Sequence, residues 1–173
     1  MRLRVVTKDD VLLQAAILIR LLILDVDGVL TAGDVYVTPE SDAVRTFHVQ
    51  DGYAIKRWHE SGGVSAILSG RGSKVIETRA RQLGVSWVDM GCDHKIDGFE
   101  RICAAAGVPK QDICMVGDDL PDVGPMARSG FSIAVANARP QVKRVAAFVT
   151  RRRGGTGVVA EVVEHLLRLN GWS

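Results

Sequence analysis

The chain has 173 residues, 47% of them hydrophobic and 24% charged, which suits one domain with a substantial core. A net charge of +2 is too small to recruit nucleic acid or an anionic membrane by bulk electrostatics, and 5% aromatic residues leave little for a base-stacking surface. Cys92, Cys103 and Cys114 show neither CxxC nor metal-ligand spacing, and read as free thiols of a reducing, cytoplasmic setting.

The first predicted element is a short helix around residues 9–17. It begins an apolar run, 11–24, that Gln14 and Arg20 interrupt and that is too short to span a bilayer. A signal peptide fits poorly, because Lys8, Asp9 and Asp10 precede the run and cleavage after it would remove the strand that carries Asp25. Apolar runs at 20–25, 64–68, 85–88, 112–117, 131–135 and 146–149 predict strands. Amphipathic stretches near 52–61, 73–83, 95–106, 119–128 and 155–169 predict the helices between and after them.

Alternating helices and nearly all-apolar strands predict an α/β fold: a three-layer, Rossmann-like parallel sheet with helices on both faces. Such sheets bind ligands beyond the carboxyl ends of their strands. One insertion interrupts the alternation. Runs at 34–37 and 44–49, separated by Pro39-Glu40-Ser41-Asp42, predict a β-hairpin flap within residues 32–50. With no repeat or linker in view, residues 1–173 read as a single domain with an N-terminal extension over 1–19, a flap, and no separate cap.

Four predicted strand ends carry reactive groups. The first runs Asp25-Val26-Asp27-Gly28-Val29-Leu30-Thr31 and the second Leu68-Ser69-Gly70-Arg71; Lys95 follows the third, and Gly117-Asp118-Asp119-Leu120-Pro121-Asp122 the fourth. Carboxylates at Asp25, Asp118 and Asp122 would repel one another unless a cation sits among them, and hard oxygen donors without His or Cys suit Mg²⁺. Ser69 and Lys95 supply a hydroxyl and a point charge for phosphate oxygens. A carboxylate nucleophile, a magnesium ion and a phosphate cradle describe phosphoryl transfer through an aspartyl-phosphate. The Asp-x-Asp spacing lets one carboxylate attack phosphorus while the other serves the leaving oxygen, with Gly28 permitting the tight turn.

These motifs, in this order, resemble the haloacid dehalogenase superfamily of phosphohydrolases. The segments "LLILDVDGVLT", "FHVQDGYAIK", "LSGRGSKVIETRARQLG", "VGDDLPD" and "TRRRGGTGVVAEVVEHLL" resemble its capless branch, typified by 3-deoxy-D-manno-octulosonate 8-phosphate phosphatase, over residues 20–170. The resemblance implies a Mg²⁺-dependent homotetramer whose hairpins form a small barrel and whose neighbouring subunits close each site. It implies Asp25 as nucleophile and Asp27 as general acid and base. Magnesium would be held by Asp25, the Asp27 carbonyl and Asp118, and phosphate by Ser69 and Lys95. It further implies substrate contacts at His48, Asp51, Gly52, Lys56, Arg71 and Arg79. Beside these, Asp119 and Asp122 read from their own chemistry as groups that could orient the metal site rather than bind the ion. The family's V-R-D-G is Val49-Gln50-Asp51-Gly52 here, and its T-D-G is Thr31-Ala32-Gly33. Losing the arginine at position 50 weakens the case for a carboxylate-bearing substrate, without touching the phosphoryl-transfer groups.

Each feature has a structural reading when taken singly. Asp-x-Asp could be a turn or a cap, Ser69 a cap, Lys95 a solvated side chain, Asp119 a helix cap, and His48 a packed cross-strand residue. Arg151-Arg152-Arg153 could be a solvated charge run and Gly154-Gly155-Thr156-Gly157 a flexible lead into the last helix, although in the relatives this stretch reaches a neighbouring site. The expected activity is hydrolysis of a sugar-acid phosphate, 3-deoxy-D-manno-octulosonate 8-phosphate. The alternatives are a nonulosonate 9-phosphate phosphatase, a catalytically idle oligomer-forming domain, and a receiver-like domain that would not need Asp27 as an acid.

Overall fold

A computed structural model describes residues 18–36 and 44–172 of the chain. Its six strands are β1 (Leu21–Leu24), β2 (Val64–Ser69), β3 (Trp87–Met90), β4 (Ile113–Gly117), β5 (Phe131–Ala134) and β6 (Phe148–Val149). They form one sheet, every pairing parallel, in the order β3-β2-β1-β4-β5-β6. The helices are α1 (Val49–Glu60), α2 (Lys74–Leu83), α3 (Lys95–Ala106), α4 (Val123–Arg128), α5 (Pro140–Val145) and α6 (Val158–Asn170). α1 packs on α2 and α6, while α3, α4 and α5 pack in sequence on one another. No cap domain is present among the described residues.

β1 has a strand on each edge, Leu21 aligning with both Val64 and Ile113, so its four aliphatic side chains meet only protein. All four are fully buried, each contributing about 1.5–3 kcal/mol of transfer free energy. The chain leaves β1 toward β2 on one side and comes back to β4 on the other, which makes the carboxyl end of β1 the topological switch point. Asp25 follows immediately, its N–H still donating to the Val116 carbonyl at 3.1 Å.

Several boundaries differ from expectation for local reasons. β3 starts two residues late because Gly84 ends α2 in the left-handed region (φ 72°) and the Val85 N–H donates back to Ala80. α4 starts at Val123 because Asp119 caps a 3₁₀ turn over Leu120–Asp122. The second flap run is not a strand to residue 49, because His48 caps α1, its Nδ1 accepting from the Gln50 N–H at 3.3 Å. Of the hairpin, an antiparallel bridge between Tyr36 and Val44 is described. The rest of the flap, 37–43, and the helix expected over 9–17 lie outside the described residues. α5 was not expected: it is six residues long, with Pro140 preset for its first turn and only Val142 fully buried. No helix among the described residues is long and apolar enough to cross a membrane.

Candidate active site

After Asp25 the chain makes a wide turn that closes with the Thr31 N–H donating to Val26 at 3.0 Å. Gly28 sits inside it at φ 100°, and a Cβ there would overlap the carboxylate of Asp118. Glycine is thus needed twice, for the backbone angle and for the approach of β4's acidic loop. The glycine-rich segment backs the same turn. The Gly155 N–H donates to Val29 at 3.0 Å, and a side chain on Gly154 would collide with the Gly28 carbonyl.

Lys95 opens α3 and points into this space, 8% exposed. Its Nζ lies 2.7 Å from Asp25 Oδ1 and 2.7 Å from Asp122 Oδ1. Asp122 is fully buried, and its other oxygen accepts from the N–H groups of Asp118 (3.0 Å) and Asp119 (3.2 Å). One carboxylate therefore fixes the lysine and the turn that presents Asp118. Ser69, 1% exposed at the end of β2, accepts from the Arg71 N–H at 3.3 Å and completes the floor.

Asp25, Asp118 and Asp122 offer ligand atoms within 4.8 Å of one another. Three carboxylates against the single Lys95 ammonium leave two negative charges uncompensated. Burial, then repulsion from Asp122, raises the pKa of Asp25 well above the carboxylate range despite Lys95 beside it. Burial and Asp122 push Asp118 up to about 6. Burial alone would lower Lys95, but Asp25 and Asp122 outweigh it and hold the ammonium charged above its ordinary range. Asp118 Oδ1 is buried without a hydrogen-bond partner. A hard divalent cation would supply both the missing charge and the missing partner, so the residues fit Mg²⁺. Both Asp122 oxygens being engaged, Asp25 and Asp118 are the carboxylates with capacity left to hold it.

The shift at Asp118 has a consequence for pH dependence. Its ordinary value is 3.8, so without metal the folded chain retains a proton between pH 3.8 and about 6 that the unfolded chain releases. That contribution to stability is present at low pH and is lost as pH rises through about 6. Mg²⁺ competes with the same proton, so its affinity should climb through this window and level off above it. Adding Mg²⁺ is expected to raise the melting temperature strongly at pH 7.5 and weakly at pH 5, read by differential scanning fluorimetry. Equal increments at both pH values would count against this cluster as the metal site.

The remaining expected site residues are spread more widely. Asp51 is 1% exposed, and its Oδ1 accepts from the Ala160 N–H at 3.0 Å, capping α6, whose own cap position is Gly157. Its place is thus a helix terminus in the interior, where burial raises its pKa. Gly52 leaves room for the Arg79 guanidinium, which stacks over Phe47 at 5.5 Å. Lys56 and Arg71 are exposed, and Asp119 is exposed with Arg139 at 3.3 Å. Gln50, where the family has arginine, accepts from Arg152 Nη1 at 2.8 Å. Two features went unread in the sequence. Arg45 pairs with Asp27, and a cavity of about 480 Å³ is lined by Arg45, Phe47, Lys74, Thr78, Arg79 and Gln82 among others. The only sequence signal for Arg45 was its place in the alternating run 44–49, which does not reveal what it meets.

A family model of haloacid dehalogenase-like hydrolases matches residues 91–162. The 3-deoxy-D-manno-octulosonate 8-phosphate phosphatase of Yersinia pestis is 39% identical over 159 residues, spanning 92% of this chain and 84% of that protein. The chain belongs to the haloacid dehalogenase-like hydrolases. Among solved structures similar to this hydrolase, the Moraxella catarrhalis phosphatase of the same description, in complex with magnesium, phosphate and KDO, has a TM-score of 0.87 at 32% identity; 95% of this chain and 94% of that one are covered. The cobalt-bound enzyme of Haemophilus influenzae has a TM-score of 0.86 at 34% identity, over 88% and 90% of the two chains.

Proposed function

We propose that the chain is a Mg²⁺-dependent phosphomonoesterase that converts 3-deoxy-D-manno-octulosonate 8-phosphate to 3-deoxy-D-manno-octulosonate and phosphate through an aspartyl-phosphate. The observation that carries it is the Lys95 ammonium seated between Asp25 and Asp122 in a buried cluster short of two positive charges.

In this reading Asp25 attacks phosphorus, and Asp27 gives a proton to the departing sugar hydroxyl. Asp27, now ionised, takes a proton from the water that hydrolyses the phosphorylated Asp25. Lys95 and Ser69 hold the phosphate oxygens, Lys95 keeping its charge throughout. Magnesium, held by Asp25, the Asp27 carbonyl and Asp118, would neutralise charge on the transferring group. Asp122 and Asp119 shape the loop and stay out of the chemistry.

Two features support a sugar-acid substrate despite Gln50. Arg152 places a guanidinium 2.8 Å from the amide oxygen of Gln50, the position at which the family's motif carries arginine. The 480 Å³ cavity beside Arg45 presents Lys74 and Arg79 as well, with no acidic residue in its lining. A homotetramer is the quaternary state we infer, supported by large apolar side chains left exposed near the flap: Tyr36, Val44, Val49 and Tyr53, all over 50% accessible. A cytoplasmic location accords with three free cysteines.

The test is Mg²⁺-dependent phosphate release from 3-deoxy-D-manno-octulosonate 8-phosphate, a 9-phosphononulosonate and 4-nitrophenyl phosphate. We expect kcat/KM to favour the first by at least about tenfold, one well-placed charged contact being worth that much. Preference for the nonulosonate would move the assignment to that sugar acid. Silence on all three would return the chain to an idle domain.

A further inference from the structure

Arg45 lies just past the flap bridge at Val44, its side chain wholly inaccessible. Its Nε lies 2.9 Å from Asp27 Oδ1 and its Nη2 3.3 Å from Asp27 Oδ2, while the Asp27 side chain keeps 18% of its surface open. The aspartate belongs to an irregular turn, with extended backbone (ψ 108°) ahead of Gly28, so the local fold alone does not fix its carboxylate. Arginine suits the task because its planar fork orients a carboxylate in a way that a single ammonium does not.

We infer that Arg45 is the positioning residue for Asp27: it pins Oδ1 and leaves Oδ2, the more loosely held oxygen, to carry the transferred proton. This rests on the acid–base role proposed for Asp27. In the first step the Asp25 oxygen forms a bond to phosphorus while the bond from phosphorus to the sugar oxygen breaks. The electron pair stays on that oxygen, which takes the proton from Asp27 Oδ2. In the second step water bonds to phosphorus, Oδ2 recovers a proton from it, and the bond between phosphorus and Asp25 breaks with its electrons returning to Asp25. Both steps need Oδ2 aimed at the same line through phosphorus, so a carboxylate free to rotate loses rate in each.

The experiment compares an alkyl phosphate, the sugar-acid phosphate, with 4-nitrophenyl phosphate, whose leaving group departs as a stable anion and needs little help from an acid. Removing a general acid altogether lowers rates by about 10²–10⁴-fold, and misplacing it should remove part of that. Hydrolysis of the aspartyl-phosphate is common to both substrates, so the readout is kcat/KM, which reports phosphorylation of Asp25. Arg45→Gln is expected to lower it for the sugar phosphate roughly 10- to 100-fold and to lower it much less for the aryl phosphate. Arg45→Lys should recover part of the difference. Equal losses of kcat/KM on both substrates would overturn the proposal. Asp27→Asn is the control: if that variant fails to separate the two substrates, the acid role of Asp27 is what fails. If Asp27→Asn separates them and Arg45→Gln does not, Arg45 is only structural. Should the Gln variant melt below the assay temperature, Arg45→Lys decides alone, a smaller separation in the same direction supporting the proposal and none overturning it.

Discussion

Asp25→Asn is expected to abolish turnover of every phosphomonoester, by a factor on the order of 10⁵–10⁶, the loss that removing a covalent nucleophile produces in other enzymes. The side-chain amide keeps the shape but has no charged oxygen to attack phosphorus. The substitution should not unfold the chain. Burial is the largest influence on Asp25 and acts against its charge, as does Asp122. A neutral group there reduces the uncompensated charge, and Lys95 keeps its contact to Asp122 at 2.7 Å. Without Mg²⁺ the variant should therefore melt at or above the wild-type temperature, while the Mg²⁺-induced increment shrinks because one ligand has lost its charge. Steady-state phosphate release and melting curves with and without Mg²⁺ read both arms. More than about 1% residual activity would remove Asp25 from the nucleophile's role, since a loss of only about 10²-fold is what misplacement alone can produce.

The parallel sheet was legible because its strands are continuous apolar runs, and Leu21–Leu24 could hardly be anything but a strand buried on both faces. Asp25, Ser69, Lys95 and Asp118 were legible for a related reason. They lie at the carboxyl ends of strands or, for Lys95, at the start of the helix that follows one, so the topology brings them together with little help from side-chain detail. What depends on a distant partner was not legible. Nothing in the order of residues says that Asp51 caps a helix starting more than a hundred positions later, or that Arg45 reaches back to Asp27. The departure at Gln50 was visible, but the guanidinium that meets it comes from Arg152, in a run of arginines that reads equally well as solvated surface. Short elements with little periodicity, α5 above all, were missed because their positions follow from the chain on either side.

Asp122→Ala is the substitution with the largest expected effect on stability. Asp122 accepts from Lys95 and from the N–H groups of Asp118 and Asp119, and it has no access to water. Removing it leaves donors unpaired in the interior and a lysine with one partner fewer; breaking a buried pair from one side is typically worth about 3–5 kcal/mol. One effect runs the other way. Asp122 raises the pKa of both Asp25 and Asp118 by repulsion, and deleting its charge relieves that. Burial ranks above this repulsion for both groups and is left in place, so the relief is partial and the lost contacts should win. For a chain of this length a loss of that size lowers the melting temperature by roughly 6–20 °C. Asp122→Asn should recover little, because its NH₂ must face either the Lys95 ammonium or the paired backbone N–H groups, all of them donors. Activity should fall in both variants even where the fold survives, since Lys95 and the loop bearing Asp118 lose their common anchor. A melting temperature within about 2 °C of wild type for the alanine variant would mean that the relieved repulsion matches the lost bonds. The cluster would then be held together by the cation more than by Asp122.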